Sequence, residues 1–314
     1  MSQSLVSIIM NGHNVSAYVS GAIESVLAQT FQDWEIIFWD NSSEDDTADI
    51  VRSFHDPRIR YFLSESFTPL GQARNHAIAQ SKGEFVAFLD CDDLWFPEKL
   101  EAQIPLFQDK EIGLVSSDTI FFNELGHERS CYGGNLPCEG NCFRTLLGRY
   151  FLSMETVIVR RAAIDEQQQW FDPRFDMIEE ADLFRRIAHQ WKIAGVPRPL
   201  AKWRVHASSW TFRHPHLLRE ETGIMLEDYR RRFADFDREF SEEIAQLLNG
   251  IDLAEAKDAW IKGKKGALVR HFANSGGISG WAKAALVACW PASWASIALR
   301  MRGEVLPVKL IRHE

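Results

Sequence analysis

Hydrophobic and polar positions alternate in two rhythms along the first hundred residues. LVSIIM (Leu5–Met10) is a short apolar run of the kind a buried strand makes, and it ends in the polar NGHN. Tyr18, Ala22, Ile23, Val26 and Leu27 then recur at helical spacing. WEIIFWD (Trp34–Asp40) is a second apolar run, closed by NSSEDDT, and IRYFL is a third. GQARNHAIAQSKG reads as a helix ending on a C-terminal glycine. EFVAFLD is the fourth strand, and Pro97 suits an early position of the following helix.

Strand and helix in this alternation predict an α/β layer structure with a mostly parallel central sheet. Asn11, Asp40 and Asp90 each fall just after a predicted strand C-terminus, the edge at which open α/β sheets bind ligands. Further along, GLVSSDTIFF and METVIVRR read as strands, EEADLFRRIAHQW as a helix and AKWRVH as a last strand. Beyond His214 the pattern changes to long charged helices, so the expected division is residues 1–214 and a helical extension, 215–314.

The segment Gly280–Gly303 carries Trp281, Trp290 and Trp294 beside Lys283, Arg300 and Arg302. Pro291 interrupts it, and it falls short of the ~20 apolar residues of a membrane-spanning helix. Two readings stay open: peripheral contact with a membrane surface, or a packing helix of the C-terminal region.

Composition narrows the function. The 314 residues are 46% apolar and 25% charged, as in ordinary folded proteins. A net charge of -9 lacks the basic face that nucleic-acid binding needs, so no nucleic-acid partner is expected. The five cysteines, an odd number, and an N-terminus without a basic-then-apolar leader pattern fit a reducing cytoplasm. Cys131, Cys138 and Cys142 with His127 lack paired C-x-x-C spacing, which favours loop thiols over a zinc site.

FVAFLDCDDLWFPEKL (Phe85–Leu100) is the stretch richest in chemistry. Asp90 and Asp92 stand two residues apart at the end of an apolar strand, where repulsion makes them costly unless something positive joins them. Carboxylates on a tight turn suit Mg²⁺ or Mn²⁺, which take oxygen ligands and leave positions for substrate phosphates. A solvated turn with Asp93 as a helix cap is the bland alternative.

The sequence VSIIMNGHNVSAYVSGAIESVLAQTFQDWEIIFWDNSSEDDT, the block GQARNHAIAQSKGEFVAFLDCDDLWFPEKL, the helix start IEEADLFRR and the late WRVHASS resemble, in order, a bacterial-type family 2 glycosyltransferase. The likeness runs over about residues 4 to 210 and implies a GT-A fold, a Rossmann-like nucleotide-diphospho-sugar transferase domain. By that resemblance, Asn11, His13, Asn14, Asp40, Arg74, Asp90 and His206 bind the nucleotide-sugar, with His13 standing where the family has a base-stacking tyrosine. Asp92, with Asp90 and His206, would hold the cation, Mn²⁺ or Mg²⁺. Glu180 falls at the family's catalytic base, with Glu179 beside it as the other candidate.

The activity implied is inverting, metal-dependent transfer of a sugar from a nucleotide-diphospho-sugar to a hydroxyl of a glycan or lipid-linked acceptor, in cell-surface polysaccharide or glycolipid synthesis. The place implied is the cytoplasm, at the inner face of the cytoplasmic membrane if the C-terminal helix binds there. Two other readings compete: a haloacid-dehalogenase-like phosphatase, and an inactive GT-A scaffold at the membrane. Leu94 and the fourth-strand position of Asp90 count against the first, and the intact Asp90 and Asp92 against the second. Taken without the resemblance, Glu179 and Glu180 would simply favour a helix N-terminus. His206 would be a core histidine, Arg74 a surface charge, and Trp39 and Trp95 packing residues.

Overall fold

The structure, a computed structural model, describes residues 4–206, 214, 216–261, 264 and 266–274. Gly280–Gly303 lies outside them. The chain divides into two compact units: residues 1–121, 130–146 and 150–204 form one, and 122–129, 147–149 and 205–314 the other.

In the first unit, β1 (Val6–Gly12), β2 (Trp34–Asp40), β3 (Ile59–Leu63) and β4 (Phe85–Phe88) run parallel in the order β3-β2-β1-β4. All seven residues of β1 and all four of β4 are buried, which is why these strands are continuous apolar runs rather than alternating ones. The helices α1 (Val19–Leu27), α2 (Thr47–Ser53) and α3 (Leu70–Gln80) connect them. In α1, Val19, Ala22, Ile23 and Val26 make one buried stripe, and each large member stabilises the unit by ~1.5–3 kcal/mol.

The sheet continues through β5 (Leu94–Trp95), which precedes α4 (Lys99–Gln103), and then through β6 (Ile112–Phe122), β8 (Ile158–Arg160) and β9 (Lys192–Arg204), in the order β4-β8-β6-β9-β5. A short β7 (Glu128–Ser130) lies off this path. Pairing is antiparallel for β4 with β8, β6 with β8 and β5 with β9. The sheet is therefore mixed, with its parallel half carrying the predicted ligand edge.

Register sets that edge. Gly12 pairs with Asp40, and Ile9 with Phe88, so the loops after β1, β2 and β4 leave the sheet together. The order in which strands are added reverses between β1 and β4, the switch point at which such sheets open a crevice.

Two expectations need correction. The helix α3 ends at Gln80 with Ser81 extended, so Gly83 is not its cap. It lies instead against β1, where an added Cβ would meet the Ser7 nitrogen at 2.6 Å, too close for any other residue. Asp93 does not cap a helix either, since α4 begins at Lys99 after Glu98.

The helices α5 (Phe143–Gly148), α6 (Arg161–Asp165) and α7 (Glu179–Gln190) follow β7. Much of α7 is buried, charged residues included. Asp182 braces it by pairing with Arg186 at 2.9 Å, and Arg185 donates to the Leu146 carbonyl. A buried helix can carry such charges only when they are paired.

The second unit is helical in its described C-terminal part, through Leu217–Arg232, Phe236–Glu239, Ser241–Ile261 and Gly266–Asn274. Tyr229, Phe236 and Phe240 are buried there with ring centroids 5.2–5.7 Å apart in successive pairs. No described helix is long and apolar enough to cross a membrane.

Candidate active site

The turn after β4 separates its four polar side chains. Asp90 keeps 33% of its side chain exposed. Cys91 is buried and its thiol donates to the Asn11 carbonyl at 3.3 Å, away from the crevice. Asp92 is half-buried. Asp93 is buried, and its Oδ1 accepts the Arg204 backbone N–H at 2.8 Å while Oδ2 has no partner. Burial, with Asp92 and Glu155 adding to it, pushes the Asp93 carboxyl well above the usual carboxylate range. Arg204 also donates from Nε to the Asp92 carbonyl at 2.8 Å, so the end of β9 holds this turn from behind.

Arg74 is buried under the turn. Its guanidinium donates to Asp90 Oδ1 at 2.8 Å and to Glu179 Oε1 at 2.5 Å. Burial alone would lower its pKa, but the carboxylates of Asp90 and Glu179 outweigh that and raise it. The geometry thus places Arg74 on two carboxylates of its own chain, a brace between α3, β4 and α7.

The neighbouring glutamates of α7 differ. Glu179 is 4% exposed and committed to Arg74. Glu180 is half-buried, and the Tyr150 hydroxyl donates to its Oε1 at 3.2 Å. Burial raises the Glu180 pKa to about 8, helped by the charges of Glu179, Asp90 and Glu155 and opposed by Arg74. A carboxyl poised near neutral pH has the properties of a general base.

On the β1–β2 side, Asp40 is fully buried. Its Oδ2 accepts the Tyr61 hydroxyl at 2.6 Å and its Oδ1 the Ser43 N–H at 2.8 Å, so both oxygens are engaged. Asn14 has a φ of 55°, the left-handed region that asparagine tolerates. It ties the first loop to the second: its Oδ1 accepts the Glu44 N–H and its own N–H donates to Ser43 Oγ. Asn11 is 8% exposed. Of the residues expected on the nucleotide-sugar here, His13 is the exposed one that presents a ring.

Asp90 and Asp92 offer hard oxygen donors at one turn, which fits Mg²⁺ or Mn²⁺ bound through one or two carboxylates and completed by a substrate's phosphates. Among the described residues no three of His, Cys, Asp and Glu come together as a cation site. His206 is half-buried, two residues beyond Arg204.

Several residues here gave no sequence signal. Tyr150 and Glu155 stand in a stretch without motif, and Phe67 in a plain loop. Glu155 is buried, with Ser153 Oγ donating to it at 2.7 and 2.8 Å, and burial raises its pKa. Lys99, fully buried, donates to the Thr156 carbonyl and to Gln103, and burial lowers its pKa to about 7 despite Glu155. The expectation of loop thiols fails at two positions: Cys138 and Cys142 form a disulfide with Cα atoms 5.9 Å apart, while Cys91 and Cys131 remain thiols.

The sequence profile described as "Glycosyl transferase family 2" matches residues 7–166, from β1 through the Asp-x-Asp turn and β8. The chain belongs to that family. Escherichia coli WfgD, a UDP-Glc:alpha-D-GlcNAc-diphosphoundecaprenol beta-1,3-glucosyltransferase, is 34% identical over 161 residues, 49% of this chain and 64% of WfgD. The chain thus spans less than two thirds of that relative's length.

Among solved structures, S. aureus TarS 1-349 superposes with a TM-score of 0.60 at 16% identity, covering 95% of this chain and 92% of that one. The mannosyltransferase PcManGT from Pyrobaculum calidifontis, in complex with GDP-Man and Mn2+, gives 0.61 at 16%, covering 96% and 86%. At these identities the likeness speaks to fold, and the fold is GT-A.

Proposed function

We propose that this family 2 protein is an inverting glycosyltransferase that moves a sugar from a nucleotide-diphospho-sugar to a hydroxyl acceptor, with Glu180 as its general base. One observation carries the reading. Of two adjacent glutamates at the start of α7, Glu179 is consumed by Arg74, while Glu180 is half-buried with a pKa raised to about 8.

Glu180 takes the proton of the acceptor hydroxyl as that oxygen bonds to the anomeric carbon. The carbon–oxygen bond to the diphosphate breaks, and the nucleoside diphosphate leaves with the electron pair. Tyr150 holds the Glu180 carboxyl in place, and Arg74 holds Asp90 at the crevice edge. Asp90 and Asp92 would hold Mn²⁺ or Mg²⁺, which supplies Lewis-acid stabilisation of the leaving diphosphate.

WfgD is named for a UDP-glucose donor and a diphosphoundecaprenol-linked acceptor, which favours a glycan or lipid-linked acceptor in cell-surface polysaccharide synthesis for this chain too. Such an acceptor would place the work at the cytoplasmic face of the membrane. The phosphatase reading loses its ground with membership of the glycosyltransferase family.

Calorimetric titration of the full chain with UDP, GDP and dTDP, with and without Mn²⁺, tests the donor class. Cation-dependent binding of at least one of them is expected. Failure of all three would overturn the reading.

A further inference from the structure

A cross-link stands at the start of the segment that brings Tyr150 to the base. Cys138 and Cys142 close residues 138–142 into a ring. Gly140, inside it, pairs with Ile193 of β9, each N–H donating to the other's carbonyl at 2.7 and 2.9 Å. Its φ of 79° favours glycine, and the neighbouring Glu139 accepts the Gly195 N–H at 3.1 Å. The ring is thereby fixed to the sheet. Cys142 is buried, but Cys138 is half-buried between exposed Pro137 and Glu139, so a reductant can reach one end of the bond.

From Cys142 the chain runs against α7 in three steps. The Phe143 ring meets His189 edge-on with centroids 4.8 Å apart, Arg185 donates to the Leu146 carbonyl at 2.9 Å, and the Tyr150 hydroxyl donates to Glu180 Oε1 at 3.2 Å. Arg185 also lies over the Tyr150 ring, 5.3 Å from its centroid. The last step is longer than an ordinary O–H···O bond, so a shift of the segment breaks it first. Cleaving the disulfide produces such a shift. The two sulfurs must part to van der Waals separation, and with Cys142 close-packed the backbone beside it has to give. In a cytoplasm, where the proposed acceptor places the work, disulfides that do form are mostly transient and serve catalysis or redox sensing.

We propose that the Cys138–Cys142 bond is a redox control on the base: intact, it keeps Tyr150 in register with Glu180, and reduced, it lets that contact go. The control rests on the reading of Glu180 as the general base. A dithiol reductant supplies two electrons and two protons; the S–S bond breaks, two protein thiols form, and the reductant becomes a disulfide. Without the Tyr150 donor the Glu180 carboxylate loses a charge-assisted hydrogen bond and binds its proton more tightly, on the order of 3- to 10-fold. While most of the carboxyl is protonated, the fraction able to accept a proton falls by the same factor. The other charges acting on it, Glu179, Asp90, Glu155 and Arg74, lie outside the ring and its segment.

The test is an NMR titration of the Glu180 carboxyl in the full, glutamate-labelled chain, assigned with Glu180→Gln, before and after dithiothreitol. Release of UDP from UDP-glucose with Mn²⁺ is followed in parallel. Reduction should tighten proton binding about 3- to 10-fold and slow UDP release at pH 7 by the same factor, the slowing fading as the pH rises above about 9. Cys138→Ala should behave as the reduced chain with or without dithiothreitol, while Cys131→Ser should still respond. In Tyr150→Phe, reduction should change neither readout. Equal proton affinity of Glu180 in both redox states overturns the control, as does a response that survives in Tyr150→Phe. A chain that releases no UDP in either state is a failure of the transfer reading instead, and the carboxyl titration decides the control by itself.

Discussion

Replacing Glu180 by glutamine should give a protein that is more stable at alkaline pH and nearly inactive. The carboxyl ordinarily titrates at 4.5 and is raised to about 8 here, by burial first and by Glu179, Asp90 and Glu155 next. Between pH 4.5 and about 8 the folded chain keeps a proton that the unfolded chain has released, so stability falls as pH rises through that window. A tenfold change in proton affinity is worth about 1.4 kcal/mol, which bounds the effect near ~5 kcal/mol. Glu180 is half-buried, and solvent screening reduces the expected cost to about 2 kcal/mol.

Glutamine keeps the shape and carries no charge, so Glu180→Gln should match the wild type at pH 4.5 and exceed it by that amount at pH 8. It cannot accept the acceptor's proton, and general-base loss costs on the order of 10²–10⁴ in rate. Urea unfolding at both pH values, with turnover followed by nucleoside diphosphate release, measures the two effects in one variant. Glu179→Gln is the contrast, since it strips Arg74 of a partner and should lose stability. Turnover of Glu180→Gln near the wild-type rate would refute the base assignment. Loss of its stability at pH 8 would refute the burial argument.

Three further outcomes are expected. Asp92→Asn should abolish Mn²⁺-dependent activity with an unchanged melting curve; turnover near wild type with Mn²⁺ would show that Asp92 is not a cation ligand. Arg74→Met should destabilise by ~3–5 kcal/mol in urea, because Asp90 and Glu179 lose their shared cation, and Glu179→Gln added to it should recover part of the loss. Lys99, lowered by burial to about 7 from 10.5, binds its proton more tightly in the unfolded chain, so wild-type stability should rise from pH 7 towards pH 10 and Lys99→Met should flatten that rise.

The sequence by itself determined the α/β layering and where the parallel strands end. The parallel strands β1, β2 and β4 are buried on both faces, and such strands appear in sequence as unbroken apolar runs. Their ends show as the points where the runs give way to Asn11, Asp40 and Asp90. Local spacing also supplied the Asp-x-Asp turn and the start of α7, which belong to single continuous segments.

Which charges face the crevice was decided only by tertiary structure, because that depends on partners far along the chain. Arg74 meets Glu179 across 105 residues and Asp93 meets Arg204 across 111. Tyr150 reaches Glu180 from a stretch with no motif. Glu179 and Glu180 are chemically identical and adjacent in sequence. Successive residues on a helix point about 100° apart, so one lands on a buried arginine and the other beside the Tyr150 hydroxyl, and desolvation then sets their protonation apart. The pairing of Cys138 with Cys142 likewise rests on a loop path that no spacing rule specifies.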